Sequence, residues 1–555
     1  MTPSATPSDL RLDKSLGKDP HPPRGSQPFA TPATLRLLRL TAPAVVAVVL
    51  VLQLGLAFDT ANLAASTLML LGNGLGYGYA LRQSLLRRYP ISGLMLLGYT
   101  FSYFTVPPLG QLLDAQAITH HLYHPVADVA YALAGLLALL VGHVLYTRLT
   151  LLSALRGTLR RRVYKPLGFF RTPRIAQLWW MGAVGVVAIL AGRHYNEHAS
   201  GLLQAVMQGL QPFVYMPYIT LVMDAWSSPQ CPPRPHRAAL VPYTGLLLAL
   251  SFVVNNRAYL LMGFASLAIV YAYLVAVGRL PFPKVRARTA LLVIALFALI
   301  TGPLARLAMT MVLVRGTRAD LTPTQLVTTT WNTYLSSNVT QRYDRLMAAM
   351  SGGPGVDEAY FDNLFLNRVA NLKFVDNAVI NAGMLGGSGQ AYFRRIEYGK
   401  VLALMPQPLI DGLGLPVDKA AVIKGSSGDF LLYAATGNSS VIGGSRTGSL
   451  PVNLRLTFGM LWPLLLVALS AVVFAFVDAW CWTQIDTRTN DAKVRFNPLV
   501  IGMLISLTFM FTSAATGTES LSGLLSIPLR GWLQVAVLYA ITFWASRLLT
   551  GWRRT

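Results

Sequence analysis

Residues 457–479 read TFGMLWPLLLVALSAVVFAFVDA, with a single charged side chain, Asp478, at the far end. As an α-helix the stretch is long enough to cross a ~30 Å hydrocarbon layer, which takes about 20 apolar residues. It has counterparts throughout the chain. Comparable runs lie at 40–58, 61–81, 91–112, 126–147, 175–192, 202–223, 238–254, 258–277, 289–307, 498–516 and 529–549. The pattern predicts an all-α polytopic membrane protein with about twelve spanning helices. Composition agrees: of 555 residues, 54% are hydrophobic and 12% charged, with a mean hydropathy of +0.49, where a soluble domain carries ~25% charged residues.

The spans divide the chain into a Pro- and Ser-rich tail (1–39) expected to be disordered, spans one to nine (40–307), a large segment between spans (308–456), spans ten to twelve (457–549) and a short tail (550–555). An even number of spans puts both termini on one side. No cleavable signal is expected before the first span. The net charge of +24 would suggest nucleic acid in a soluble protein. Its distribution argues for topology instead. Of the Lys and Arg residues, 29 fall on the terminal side and 17 on the other, and net charge divides as +22 and +2. The rule that cytoplasmic loops are basic then makes both termini cytoplasmic and the 308–456 segment external. The densest basic run, Arg148 to Arg174, reads as an orientation signal. Cys231 and Cys481 fall in or beside cytoplasmic loops and are expected to be reduced thiols.

The external segment is the informative one, because ~145 residues far exceed what a connection needs. Trp331, Leu335, Val339, Tyr343, Leu346 and Met350 recur at steps of three and four, predicting one helical face from Leu326 to Met350 that suits a bilayer surface. Phe361, Phe365, Val369, Leu372 and Val379 form a second helical run, interrupted by Asp376. Asn363, Asn367 and Asn371 fall at steps of four on another face. Such a ridge of amides is usually a solvated surface, but it also offers donors and acceptors that suit sugar hydroxyls. Gly and Ser, densest from Gly425 to Gly448, suggest flexible connections. No phosphate-binding loop, HExxH or CxxC motif occurs, so a nucleotide motor, a zincin and a thiolate metal site have no support. The sequons at Asn338 and Asn438 carry no weight, since three-residue matches arise often by chance.

Basic residues on the external side need a separate account, because topology does not require them. Arg257 lies in a short turn between two spans. It either snorkels to lipid headgroups or grips a lipid-linked phosphate through two parallel hydrogen bonds. Arg368 shares its helix with the amide ridge and joins Arg257 as a candidate catalytic arginine. Arg342, Arg345, Lys373, Arg394 and Arg395 are candidate substrate-binding cations, with Asn363, Asn367 and Asn371 beside them. Pairing with Asp344, Asp376 and Glu397 is the alternative explanation of these cations. His194, Glu197 and His198, after the fifth span, form a possible acid–base or metal set, or an ordinary solvated turn. Glu197, His194, His198, Asp344 and Asp376 remain candidate acid–base groups, with none singled out by spacing.

In its twelve spans with cytoplasmic ends, its one large external loop between spans nine and ten, and its outward arginines Arg257 and Arg368, the chain resembles the O-antigen polymerases (Wzy type) and their relatives, the O-antigen ligases. The resemblance covers most of the chain as architecture and rests on no stringent motif. It implies a bacterial inner-membrane glycosyltransferase that needs no metal or other cofactor. Such an enzyme transfers a growing glycan from undecaprenyl diphosphate to a hydroxyl of the next lipid-linked repeat unit. Its partners would be that lipid-linked oligosaccharide, membrane lipids and a chain-length regulator, with no nucleic acid. Ligases of this type look to a histidine in the large external loop. Here the histidines at 21, 120, 121, 124, 143, 194, 198 and 236 leave that loop empty, which favours the polymerase, unless His194 or His198 substitutes. The competing classes are a flippase or transporter of lipid-linked sugars, which should bury more charge within its spans than Asp128 and Arg306, and a structural subunit of an export complex.

Overall fold

The structure is a computed structural model that describes residues 32–195, 201–222, 234–254, 256, 258–277, 280, 291, 302–303, 305–314, 322–350, 355–361, 364–486, 491–512 and 519–551. Among these, helices dominate. One antiparallel hairpin is present, Cys481–Asp486 paired with Asp491–Phe496, with Cys481 opposite Phe496. Among the described residues, five helices are long and apolar enough to cross a membrane: Leu35–Leu56, Pro125–Arg148, Ile175–Gly192, Leu450–Asp478 and Leu521–Leu549. The protein is a mainly helical membrane protein.

At the centre, the Pro125–Arg148 helix packs against Trp462–Asp478 on one side and Thr60–Ala80 on another. Close approach depends on Gly142, where an added Cβ would stand 2.2 Å from Ser470 Oγ and 2.8 Å from the Val467 carbonyl oxygen. Lipid-embedded helices lack a hydrophobic drive towards one another, so small residues that admit van der Waals contact carry much of the association.

Several expected spans are helical but not continuous. The 91–112 stretch is an α-helix (Pro90–Thr100), a π-helical turn (Phe101–Thr105) and a second α-helix (Val106–Leu113) that begins just before Pro107 and Pro108. The 202–223 stretch is α-helical to Leu210 and then tightens to a 3-10 helix, Gln211–Leu221, containing Pro212 and Pro217. Pro498–Gly502 and Leu504–Thr508 are likewise separate short helices. Proline removes a backbone donor and crowds the preceding turn. Such irregular backbone survives at membrane depth only inside protein, and both Ser102–Thr105 and Phe213–Thr220 are buried. Asn73 Nδ2 donates to Thr105 Oγ1 at 3.0 Å, and Tyr77 OH lies 2.9 Å from the same oxygen.

The end of the bundle near Arg148 is closed by polar contacts. Asp478 accepts from the Ile91 and Ser92 amides and from Ser92 Oγ, at 3.0, 3.2 and 2.6 Å, so it caps the helix that starts at Pro90. Tyr146 OH also donates to it, at 3.1 Å. From the basic run, Arg160 Nη2 donates to the Asp478 carbonyl and Arg156 Nη1 to Tyr146 OH. Part of that run therefore holds the bundle together while Arg161 and Arg162 remain exposed. Cys481 is buried with a free thiol, and Cys231 lies outside the described residues.

The described residues between 322 and 458 form a succession of helices against the other end. The single helix expected over 326–350 is two, Pro323–Leu335 and Val339–Met350. The break falls at Ser336-Ser337-Asn338, residues whose side chains compete with helix hydrogen bonds. Ser336 Oγ donates to the Thr333 carbonyl at 2.6 Å. Arg306 then closes the first helix, with Nε and Nη2 donating to the Tyr334 and Ser336 carbonyls at 3.0 and 2.7 Å. A cation at a helix C-terminus is a capping device, so Arg306 is accounted for without a transport role. The second run also divides, into Leu364–Val369 and Leu372–Gly383.

Candidate functional site

Residues 114–124 connect Val106–Leu113 to the Pro125–Arg148 helix, and they are tied to the 355–376 region. Gln111 Nε2 donates to the Tyr360 carbonyl at 2.9 Å, and Tyr360 OH donates to the Ile118 carbonyl at 2.7 Å. The turn is strained, since Ala115 and His121 hold φ of 52° and 61°, a left-handed conformation that costs a non-glycine residue energy. Its carbonyl at His121 accepts from Lys373 Nζ.

Lys373 and Asp376 lie one turn apart on Leu372–Gly383 and pair at 2.9 Å, at 3% and 0% exposure. Asp376 Oδ1 also accepts from the Tyr123 and His124 amides at 2.9 and 3.0 Å, with His124 Nδ1 at 3.9 Å. Lys373 Nζ stands 5.4 Å from the centre of the Tyr123 ring. A buried ion pair offsets its desolvation through further hydrogen bonds, and here Asp376 accepts from two amides while Lys373 also donates to the His121 carbonyl. Beside it opens a cavity of about 160 Å³ lined by His121, Leu122, Tyr123, Gly355, Asp357 and Lys373. Its rim is held from the same helix: Asn377 Nδ2 donates to the Asp357 carbonyl at 2.6 Å and Asn381 Nδ2 to the Gly355 carbonyl at 2.9 Å. Gly355 has φ of +84°, and a Cβ there would meet Asn381 Oδ1 at 2.8 Å. A cation, a carboxylate and an imidazole around one small polar cavity can bind an anionic group and exchange a proton with a hydroxyl.

Of the residues expected from sequence, the structure brings Lys373 and Asp376 to this site, as an ion pair. Asn367 does not present a free amide: its Oδ1 accepts from the Tyr360 and Phe361 amides and its Nδ2 donates to the Phe361 carbonyl. Asn371 is buried, with Nδ2 on the Val369 carbonyl. The break at 370–371 prevents a continuous ridge, and the amides that do recur on one helix, Asn377 and Asn381, hold backbone. Arg342 and Arg345 are exposed on Val339–Met350. Arg394 Nε donates to the Leu456 carbonyl at 2.9 Å, and Arg395 lies over the Tyr392 ring, so neither pairs with Glu397. Arg257, Asn363, Glu197 and His198 lie outside the described residues. Arg368, His194 and Asp344 are described for backbone alone. His121, Tyr123 and Asp357 were not anticipated. The signal available was the run His120-His121-Leu122-Tyr123-His124, which brings imidazoles to a large loop that has none of its own.

A second buried set was also missed. Ser427 Oγ donates to Glu397 Oε1 at 2.5 Å and accepts from Lys400 Nζ at 3.0 Å. The Ser427 and Gly448 amides donate to the two oxygens of Glu519. Burial pushes the Glu397 carboxyl up, Glu519 up to about 7, and the Lys400 ammonium down. Asp429 accepts from the Ser426, Gly443, Ser445 and Arg446 amides, which orders the Gly-rich 437–448 stretch expected to be flexible. Ser427 is fully buried, so this set joins segments rather than facing a ligand. Among the described residues, no three His, Cys, Asp or Glu side chains form a group that could hold a metal ion. Comparison with protein-family models, with curated proteins and with solved structures finds no match.

Proposed function

We propose that the protein is a membrane glycan polymerase, extending a surface polysaccharide on undecaprenyl diphosphate at the outer face of a bacterial inner membrane. The reading carries twelve spans, cytoplasmic termini and a periplasmic 308–456 segment. The observation that supports it best is the polar cavity lined by Lys373, His121 and Asp357 beside the first turn of an apolar helix long enough to span. In the reaction, an acceptor hydroxyl attacks the anomeric carbon of the donor sugar. The bond from that carbon to the diphosphate oxygen breaks, and the oxygen keeps the electron pair. Lys373 stabilises the charge gathering there, and His121 or Asp357 takes the hydroxyl proton. Tethering both substrates to one bilayer supplies proximity. Arg257 and Arg368 remain the arginines proposed to hold the diphosphate.

Gel analysis of surface polysaccharide tests the reading. A deletion strain should show single repeat units in place of a ladder, and Lys373→Ala should shorten the ladder at normal protein level. Loss of one charged hydrogen bond is worth about 1.5 to 3 kcal/mol, or roughly 10- to 150-fold in rate. The interrupted helices at 101–105 and 211–221 favour a second reading, a flippase of lipid-linked sugars, because transporters place binding sites at discontinuous helices. Complete loss of surface glycan from the deletion strain would favour it.

A further inference from the structure

Below the cavity one carboxyl has no role in the chemistry above. Asp128 sits in the first turn of Pro125–Arg148, is fully buried, and neither of its oxygens receives a hydrogen bond. Asp376 is docked on the start of the same helix, where its Oδ1 accepts from the amides of Tyr123 and of the capping residue His124, and this sets the two carboxyls beside each other. The two carboxyls are treated very differently. Asp376 accepts from Lys373 Nζ and from two backbone amides, whereas Asp128 faces another carboxylate and no donor. An ionised carboxylate in that position would lose its hydration, gain no hydrogen bond and meet a like charge, each of which opposes burial. A neutral carboxylic acid removes all three penalties, because its O–H has an acceptor in Asp376.

We propose that Asp128 is held as a neutral acid that donates to Asp376, so that the two carboxyls form a one-proton site beneath the cavity. With that proton, the Lys373 and Asp376 charges cancel and the buried set is neutral. Without it the set carries a net negative charge under the cavity. The charged and titratable groups facing the pair are Lys373 on the loop helix, His124 at 3.9 Å from Asp376, and Tyr360, whose hydroxyl is committed to the Ile118 carbonyl. His121 and Asp357 lie across the cavity. None of these donates to Asp128. One consequence rests on the polymerase reading: a negative set repels a diphosphate, so anion binding in the cavity requires the Asp128 proton and weakens as pH rises.

The test uses the purified full-length protein in detergent. Infrared spectra of the wild type should contain a protonated-carboxyl C=O band that shifts when aspartate is isotope-labelled. The band should vanish in Asp128→Asn, which keeps the shape and a donor towards Asp376, and persist in His124→Gln. Binding of inorganic pyrophosphate should weaken with rising pH in the wild type and lose that dependence in Asp128→Asn. A wild type without an aspartate-derived acid band overturns the proton site, whether or not Asp128→Asn folds and whether or not pyrophosphate binds. A band unchanged in Asp128→Asn overturns it as well. An acid band with no pyrophosphate binding at any pH supports the proton site and removes the diphosphate reading instead.

Discussion

Lys373 and Asp376 are unequal partners. Removing the lysine leaves Asp376 with two backbone donors, but removing the aspartate leaves a buried ammonium held by one carbonyl. Asp376→Leu should therefore destabilise the protein more than Lys373→Met, by about 3 to 5 kcal/mol for a stranded buried charge. The double variant should cost less than the sum of the two. Thermal unfolding in detergent measures all three, and strictly additive losses would show that the pair is not coupled. Glu519 gives a pH prediction with the opposite sign to that of an ordinary ion pair. Its carboxyl is held at about 7 against a usual 4.5, so the folded chain binds this proton more tightly than the unfolded chain. Its contribution is complete below about pH 4.5 and is lost as pH rises through about 7. Melting temperature should fall over that window, and Glu519→Gln should flatten the fall while lowering stability overall, because one amide donor then faces an NH2 group. A fall equally steep in Glu519→Gln would assign the titration to another group. At this scale the sequence exposed only what is local. Lys373 and Asp376 are three residues apart and visible as a pair, whereas Asp128, His121 and Glu519 reach their partners from distant segments that no spacing connects.

Helices in lipid announce themselves, because burial among acyl chains requires a long uncharged run, and the five helices long and apolar enough to span were readable for that reason. Their interruptions were not. Pro107, Pro212 and Pro217 are compatible with a continuous membrane helix until neighbours such as Asn73 and Tyr77 supply hydrogen bonds to an irregular turn. The hairpin at 481–496 is short and flanked by long helical runs, and a periodicity of apolar residues does not reveal it. Gly142 tests the packing of these elements. Gly142→Val should separate Pro125–Arg148 from Trp462–Asp478, since its Cβ would collide with Ser470 Oγ and the Val467 carbonyl. Ser470→Ala should relieve only part of the strain, because the carbonyl remains. Overpacking of this kind costs about 1 to 3 kcal/mol. Unchanged melting of Gly142→Val in detergent would mean that the two helices adjust without penalty.

For the whole molecule, the division of charge into +22 and +2 predicts orientation. Tags at Asn490 and Thr555 should be cytoplasmic and a tag at Gly386 external, and protection of Gly386 from external labelling would invert every assignment of sides. The same inversion would move the cavity at His121, Asp357 and Lys373 away from periplasmic substrates. The central claim is glycan extension on a diphosphate lipid, and reconstitution measures it most directly. Purified protein in liposomes is given lipid-linked repeat units with no nucleotide present, and the lipid-linked products are sized. The polymerase account predicts a ladder of longer glycans, shortened by Lys373→Ala. Repeat units that remain single while folded protein moves them across the bilayer would contradict it.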